Sequence, residues 1–238
     1  MEKLASGAEK LGLHLTRQQL GQFQLYYQEL IDWNQRLNLT AITDYEAVQV
    51  KHFLDALTVV MAVRLLSDRG IRLIDVGTGA GIPGIPLKIV MPDAELVLLD
   101  ATKKKADFLE HITKRLELKG VEIVVGRAEE IAHQPEYRQR FDLVLSRAVA
   151  HLTMLVELTL PFCATGGRFI AQKKGDIGEE VQAAQRAIEL LGGRLTEVKK
   201  IELSEFDDER WLVVIDKVRE TPPPYPRRPG IPAKRPLG

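Results

Sequence analysis

The chain holds 238 residues, of which 33 are basic and 33 acidic, so its formal net charge is zero, and 45% are apolar. That length fits one large domain with room for a small appendage, on a prior of about 100–200 residues per domain, and neutrality argues against a uniformly basic nucleic-acid binder while leaving room for local patches. The single Cys163 excludes an internal disulfide, the five His lack zinc-ligand spacing, and there is neither a signal-peptide stretch nor a membrane-length apolar run, so a soluble, cytoplasmic protein without a metal site is expected.

Residues 1–65 read as a helical segment. Leu20, Phe23, Tyr27, Leu30 and Leu37 recur at spacings of three, four and seven, the stripe of an amphipathic helix. Thr16 with Gln19 matches a capping box at its start, and Asn38-Leu39-Thr40 is expected to end it. A second helix is expected from Tyr45 to Leu66, with Val50, Phe53, Leu54, Leu57, Met61 and Leu65 as its apolar side. His52 and Asp55 stand three residues apart there, close enough for a mutual hydrogen bond.

Residues 66–220 alternate strand-like and helical stretches. The strand-like runs are Ile71–Val76, Glu95–Asp100, Val121–Val125, Phe141–Ser146, Arg168–Gln172, Arg194–Leu203 and Arg210–Lys217. The first five are spaced widely enough for parallel crossovers. The last two are separated only by Ser204–Glu209, which predicts an antiparallel hairpin. The expected fold is α/β: a mostly parallel, doubly wound seven-stranded sheet with an antiparallel C-terminal hairpin, preceded by N-terminal helices.

Residues 221–238 form a distinct tail with seven of the chain's twelve prolines. Arg227, Arg228, Lys234 and Arg235 give it a net charge of +4, against −1 for residues 1–65 and −3 for residues 66–220. Such proline density predicts an extended segment without helix or interior strand, packed along a surface or mobile.

The most informative stretch is Asp75-Val76-Gly77-Thr78-Gly79-Ala80-Gly81-Ile82-Pro83-Gly84, which follows a strand and opens a helix. Glycines there let backbone approach a ligand. Asp100, followed by Ala101 and Thr102, ends the next strand, where a carboxylate accepts ribose hydroxyls. Together they indicate a nucleoside-containing cofactor. Gly79-x-Gly81-x-x-Gly84 also matches the dinucleotide pattern, so NAD is a rival. Asp75 suits a ligand bearing an ammonium, and Pro83 interrupts the helix start that would cradle a pyrophosphate. Both features favour S-adenosylmethionine. Ala128 and Glu129, after the third strand, fall where an adenine would lie. Arg147, at the end of the fourth, is expected to face the glycine turn, able to fork onto a carboxylate or phosphate. Lys103, Lys104 and Lys105 put like charge in a helix's first turn, against the macrodipole, which suggests contact with a polyanion. Lys173 and Lys174 extend that rim.

The chain resembles the GidB/RsmG family of bacterial small-subunit (16S) ribosomal RNA guanine-N7 methyltransferases over nearly its whole length. The residues that carry the resemblance are Trp33-Asn34-x3-Asn38-Leu39-Thr40, His52-Phe53-Leu54-Asp55, the glycine turn through Ile85-Pro86, Ser146-Arg147-Ala148, Lys174-Gly175, and Tyr225-Pro226-Arg227-Arg228-x-Gly230-x-Pro232-x-Lys234. Asp32 and Gln172 depart mildly from the family pattern. The resemblance implies a Rossmann-like class I methyltransferase. It would transfer methyl from S-adenosylmethionine, leaving S-adenosylhomocysteine, to N7 of a guanine in decoding-region RNA, and its partner would be that RNA or the assembled subunit. It places cofactor contacts on Gly77, Ile82, Ala128, Glu129 and Arg147.

What is missing fits this reading. No Asn/Asp-Pro-Pro-aromatic run follows the fourth strand to hold an exocyclic amine, and Cys163 lies in an apolar context unsuited to a nucleophile. Guanine N7 has an in-plane lone pair and no proton to lose, so alignment and water exclusion suffice. No general base is expected, and Arg147, His52 and Asn38 stand as positioning candidates. Lys103, Lys104, Lys105, Lys174, Arg227, Arg228, Lys234 and Arg235 are the RNA-binding candidates. The tail is expected to serve RNA and to be dispensable for the cofactor, and the protein is expected to act as a monomer. A methyltransferase for a small molecule or protein, and a nucleotide-binding module without catalysis or with NAD, remain alternatives.

Overall fold

The computed structural model describes residues 1–63, 70–147 and 150–237. Leu65, Leu66 and Ala148, assigned above to a helix and a motif, lie outside the described residues. The strands are β1 (Arg72–Val76), β2 (Glu95–Asp100), β3 (Val121–Val125), β4 (Phe141–Arg147), β5 (Cys163–Lys174), β6 (Gly193–Lys200) and β7 (Arg210–Lys217). They form one sheet in the order β3-β2-β1-β4-β5-β7-β6. β3, β2, β1, β4 and β5 run parallel, while β7 is antiparallel to both β5 and β6. The expected hairpin is therefore present, and its second strand is the inner one.

The helices are α1 (Glu2–Lys10), α2 (Arg17–Leu37), α3 (Tyr45–Val48), α4 (Asp55–Leu57), α5 (Val60–Val63), α6 (Gly84–Val90), α7 (Lys103–Arg115), α8 (Ala128–Ile131), α9 (Leu152–Thr159), α10 (Gly178–Leu190) and α11 (Ile231–Lys234). Strand side chains alternate between two faces, as the two-residue period of a strand requires. Leu73, Leu96, Leu98, Leu143 and Leu145 pack with Phe23, Tyr26, Leu30, Phe53 and Leu54, so the N-terminal segment shares its core with one face of the sheet. Ile74, Val97, Leu99 and Val144 pack on the other face with Leu155, Val156, Ala184 and Ile188 of α9 and α10.

Three local differences from the sequence reading have physical causes. The helix expected over 45–66 is broken: a π-helical stretch, Gln49–Leu54, joins α3 to α4, and Thr58 Oγ1 donates to Asp55 O at 2.6 Å where α4 stops. β5 starts at Cys163, five positions before the expected Arg168, because a register shift between Phe141 and Leu143 of β4 accommodates the Gly166-Gly167 pair inside a paired strand. The tail contains a helical turn, α11, with Pro232 in its first turn, where the missing N–H has no intrahelical acceptor. The Thr16/Gln19 capping box is present with both its bonds, and Asn38 caps the end of α2 at φ 48°.

Candidate active site

The order of the strands reverses between β1 and β4, and sheets of this kind take ligands beyond the carboxyl ends of the strands at that point. Ser146 Oγ donates to Val76 O at 2.9 Å and so ties the two strand ends together. Beyond Val76 the chain turns through the glycines. Gly79 has φ +61°, and a Cβ on it would meet nothing within 4 Å, so bare backbone faces open space. Tyr26 of α2 reaches across to donate to Ala80 O, which anchors the turn to the N-terminal helices.

Asp75 lies under this turn, fully buried. Its Oδ2 accepts from Thr78 Oγ1 at 2.7 Å and from the Gly84 N–H at 2.9 Å, while Oδ1 has no partner. Burial pushes its pKa up to about 6, against the pull of those two hydrogen bonds and of Arg147. An unpartnered buried carboxylate oxygen under the turn leaves capacity for a cationic group of a bound ligand. The Gly84 N–H that a pyrophosphate would need is already engaged.

Asp100 closes the turn from β2. Its Oδ2 accepts from the Gly79 N–H at 2.9 Å and lies 3.2 Å from Lys105 Nζ, and Oδ1 accepts from the Thr102 N–H at 2.9 Å. A carboxylate offers about four lone-pair sites, so capacity for ribose hydroxyls remains. Ala101 and Thr102 are exposed beside it, and Ile82 is buried beneath the turn. After β3, Ala128 is half-buried and Glu129 buried. The Glu129 Oε1 accepts from the Gly230 N–H of the tail at 3.2 Å.

Arg147 at the end of β4 is held by the π-helical stretch. Its Nη1 donates to Lys51 O and to Asp55 Oδ2, both at 3.0 Å, and its Nη2 lies 3.4 Å from His52 Nδ1. Asp55 and His52 thus meet at Arg147 instead of bonding to each other. Asp55 Oδ2 also sits 2.9 Å from Nη1 of the buried Arg210, and Gln172 Nε2 donates to Asp55 O at 2.6 Å. His52 Nε2 pairs with Thr40 Oγ1 at 2.7 Å. Burial, with the Arg147 charge beside it, pushes the His52 pKa down to about 3, so the ring is neutral at physiological pH. Asn34 Oδ1 accepts from the Thr40 N–H at 2.8 Å, a structural bond, and Asn38 is exposed at the end of α2.

The cations divide into two sets. Lys105 is paired with Asp100, Lys173 with Glu180, Lys174 with Asp208 at 3.8 Å, and Arg227 with the fully buried Glu157. Lys103, Lys104, Arg228, Lys234 and Arg235 are exposed and without an ion pair among the described residues. Burial raises the Cys163 thiol to about 12, in keeping with a packing role. Sequence reasoning did not single out Tyr26, Glu157 or Arg210. Glu157 had a usable signal, as the lone acid in the otherwise apolar run Leu152–Thr159. Among the described residues no helix is long and apolar enough to cross a membrane, and no group of three or more His, Cys, Asp or Glu could hold a metal ion.

Solved structures of this architecture include a SAM-dependent methyltransferase from Aquifex aeolicus, at TM-score 0.55 and 18% identity over 76% of this chain and 97% of that one. TYW2 of M. jannaschii in complex with AdoMet matches at TM-score 0.51 and 16% identity, over 69% of this chain and 77% of that one. The fold is that of the class I S-adenosylmethionine-dependent methyltransferases. At the sequence level, the family profile described as GidB, rRNA small subunit methyltransferase G, matches residues 19–209. A ribosomal RNA small subunit methyltransferase G from Dehalococcoides mccartyi strain CBDB1 is 55% identical over 237 residues, 100% of each chain. One from Lachnoclostridium phytofermentans is 48% identical over 231 residues, 97% of this chain and 95% of that one. The chain belongs to the GidB family.

Proposed function

We propose that this protein transfers the methyl group of S-adenosylmethionine to N7 of a guanine in small-subunit ribosomal RNA, acting as a monomer in the cytoplasm on the RNA or the assembled subunit. The observation that supports the cofactor is the unpartnered Oδ1 of the buried Asp75 under the glycine turn, an acceptor that suits an ammonium and not a pyrophosphate. Asp75 would take the ammonium, Asp100 with Ala101 and Thr102 the ribose, Ala128 and Glu129 the adenine, and Gly77, Gly79 and Ile82 the walls between. The bound cofactor supplies an electrophilic methyl on a sulfonium.

The acceptor chemistry follows from what the chain offers there. Arg147 is fixed by three protein groups and is a permanent cation; His52 is neutral, with Nε2 engaged by Thr40. Neither is set up to remove a proton, and N7 has none to lose, so the site's work is alignment and exclusion of water. Lys103, Lys104, Arg228, Lys234 and Arg235 are the cations free to meet phosphates. The test is incorporation of labelled methyl into purified small subunits and into naked RNA, followed by mapping of N7-methylguanine. Label in one guanine is expected; label absent from RNA, or placed on an exocyclic amine, overturns the reading.

A further inference from the structure

The proline-rich tail is bound to the body by directed polar contacts, and one of these reaches Glu129. Arg138 donates to the carbonyl oxygens of Thr221, Pro222 and Tyr225 at 2.9–3.2 Å, and His133 Nε2 meets Pro226 O at 2.8 Å. Arg227 then locks onto Glu157 of α9 with three bonds: its backbone N–H and Nε to Oε1, both at 2.8 Å, and Nη2 to Oε2 at 2.6 Å. The same Nη2 donates to Arg235 O at 2.7 Å and so closes a loop around residues 227–235. Within that loop Gly230, at φ +81°, turns its N–H onto Glu129 Oε1. Among the described residues Glu129 Oε2 takes no hydrogen bond.

We propose that the tail is a strap that positions the cofactor's purine pocket: Arg227, anchored on Glu157, holds Gly230 so that its N–H fixes one oxygen of Glu129 and leaves the other to accept from the purine's amino group. This inference rests on the reading that Glu129 faces the adenine of S-adenosylmethionine. Its basis is the arrangement itself. A carboxylate at the end of β3, beside the Asp100 end of β2, is the one a nucleoside lying across these strand ends would meet with its base. Such a carboxylate reads an exocyclic amine well only when its own rotamer is set, and the set comes here from outside the sheet. Arg227 is thereby a positioning residue for the cofactor. The expectation that the tail is dispensable for cofactor binding is reversed.

The test is calorimetric titration of the full chain, well below its melting temperature, with S-adenosylhomocysteine and with S-inosylhomocysteine, in which a carbonyl replaces the amine. Wild type should prefer the adenine ligand. Arg227→Ala should weaken S-adenosylhomocysteine about tenfold, the size of one lost directed hydrogen bond, and shrink that preference. Glu129→Ala should abolish the preference, and adding Arg227→Ala to it should change the preference no further. Ala233→Ser, exposed on the same strap, should leave both affinities at wild-type values. A role confined to stability would lower the melting temperature of Arg227→Ala and leave the ligand preference intact, and that result overturns the strap proposal alone. If Glu129→Ala retains the wild-type preference, the adenine assignment falls and the strap with it. If wild type binds neither ligand, the methyltransferase reading itself falls.

Discussion

The N-terminal helices and the proline-rich tail both attach to the sheet's surroundings, but in different proportions of apolar and directed contact. The helices bury Phe23, Tyr26, Leu30, Phe53 and Leu54 completely in the core shared with the sheet. Directed contacts supplement that attachment, among them Tyr26 to Ala80, Glu29 to His111 and Arg115, and Asp55 to Arg147 and Arg210. The tail buries Pro226 and Pro232, adds Tyr225 and Leu237 to the edge of the opposite core, and is held in addition by charged and backbone hydrogen bonds. Apolar attachment tolerates small shifts and is insensitive to salt; a bond-by-bond attachment sets positions tightly and fails when one partner goes. The helices therefore hold chiefly by packing, and the tail chiefly by single bonds.

Substitutions separate the two. Asp55→Ala should have the largest effect, about 5 kcal/mol lost in denaturant unfolding, because it leaves both Arg147 and Arg210 without their shared buried carboxylate. Phe53→Ala should cost about 4 kcal/mol through the cavity it opens between α2 and the sheet, with little dependence on ionic strength. Arg227→Ala should cost about 3 kcal/mol, since Glu157 stays buried without its counter-charge and keeps only the backbone N–H of position 227, and Glu157→Leu in the same chain should recover most of that loss. If Arg227→Ala proves as harmless as an exposed substitution, the strap is not held as described and the contrast collapses.

The smallest expected effect is one of pH, at the turn between the two attachments. Asp75 has its pKa raised to about 6 from a usual 3.8, so the folded chain binds a proton more readily there than the unfolded chain does. Its contribution to stability is full below the unfolded value and is lost as pH rises through about 6. Without ligand, the melting temperature should fall between pH 5 and 7 by an increment that Asp75→Asn removes. Binding of an ammonium-bearing ligand runs the other way, since it needs the ionised carboxylate: affinity for S-adenosylhomocysteine should drop about tenfold per pH unit below that value. Thr78, the Gly84 N–H, Arg147 and Asp100 face or influence Asp75, and His52, at about 3, stays neutral across this window.

Much of this was legible in the sequence, and the remainder was hidden for identifiable reasons. All seven strands could be read because each is a short run rich in apolar residues bounded by turn-forming or polar ones, and the strand ends around the switch point could be read because Asp75, Asp100, Glu129 and Arg147 fall at or just past them. The π-helical stretch was not, since its wider turn keeps an apolar pattern close to helical over six residues. The start of β5 was missed by five residues, because Gly166-Gly167 lies in an irregular part of that strand. Partnerships were the least legible: Arg147 with Asp55 and Arg227 with Glu157 lie 92 and 70 positions apart, and nothing local marks them. For the same reason cations that looked free, Lys105 and Arg227 above all, turn out to be engaged by the protein itself.

The bond from Gly230 to Glu129 spans 101 positions of the chain. Chains leave the ribosome N-terminus first, at about 5–20 residues per second. Residues 227–230 therefore emerge after every element they grip. On the strap proposal, a chain arrested before them would carry the sheet and the glycine turn but leave Glu129 without its Gly230 bond.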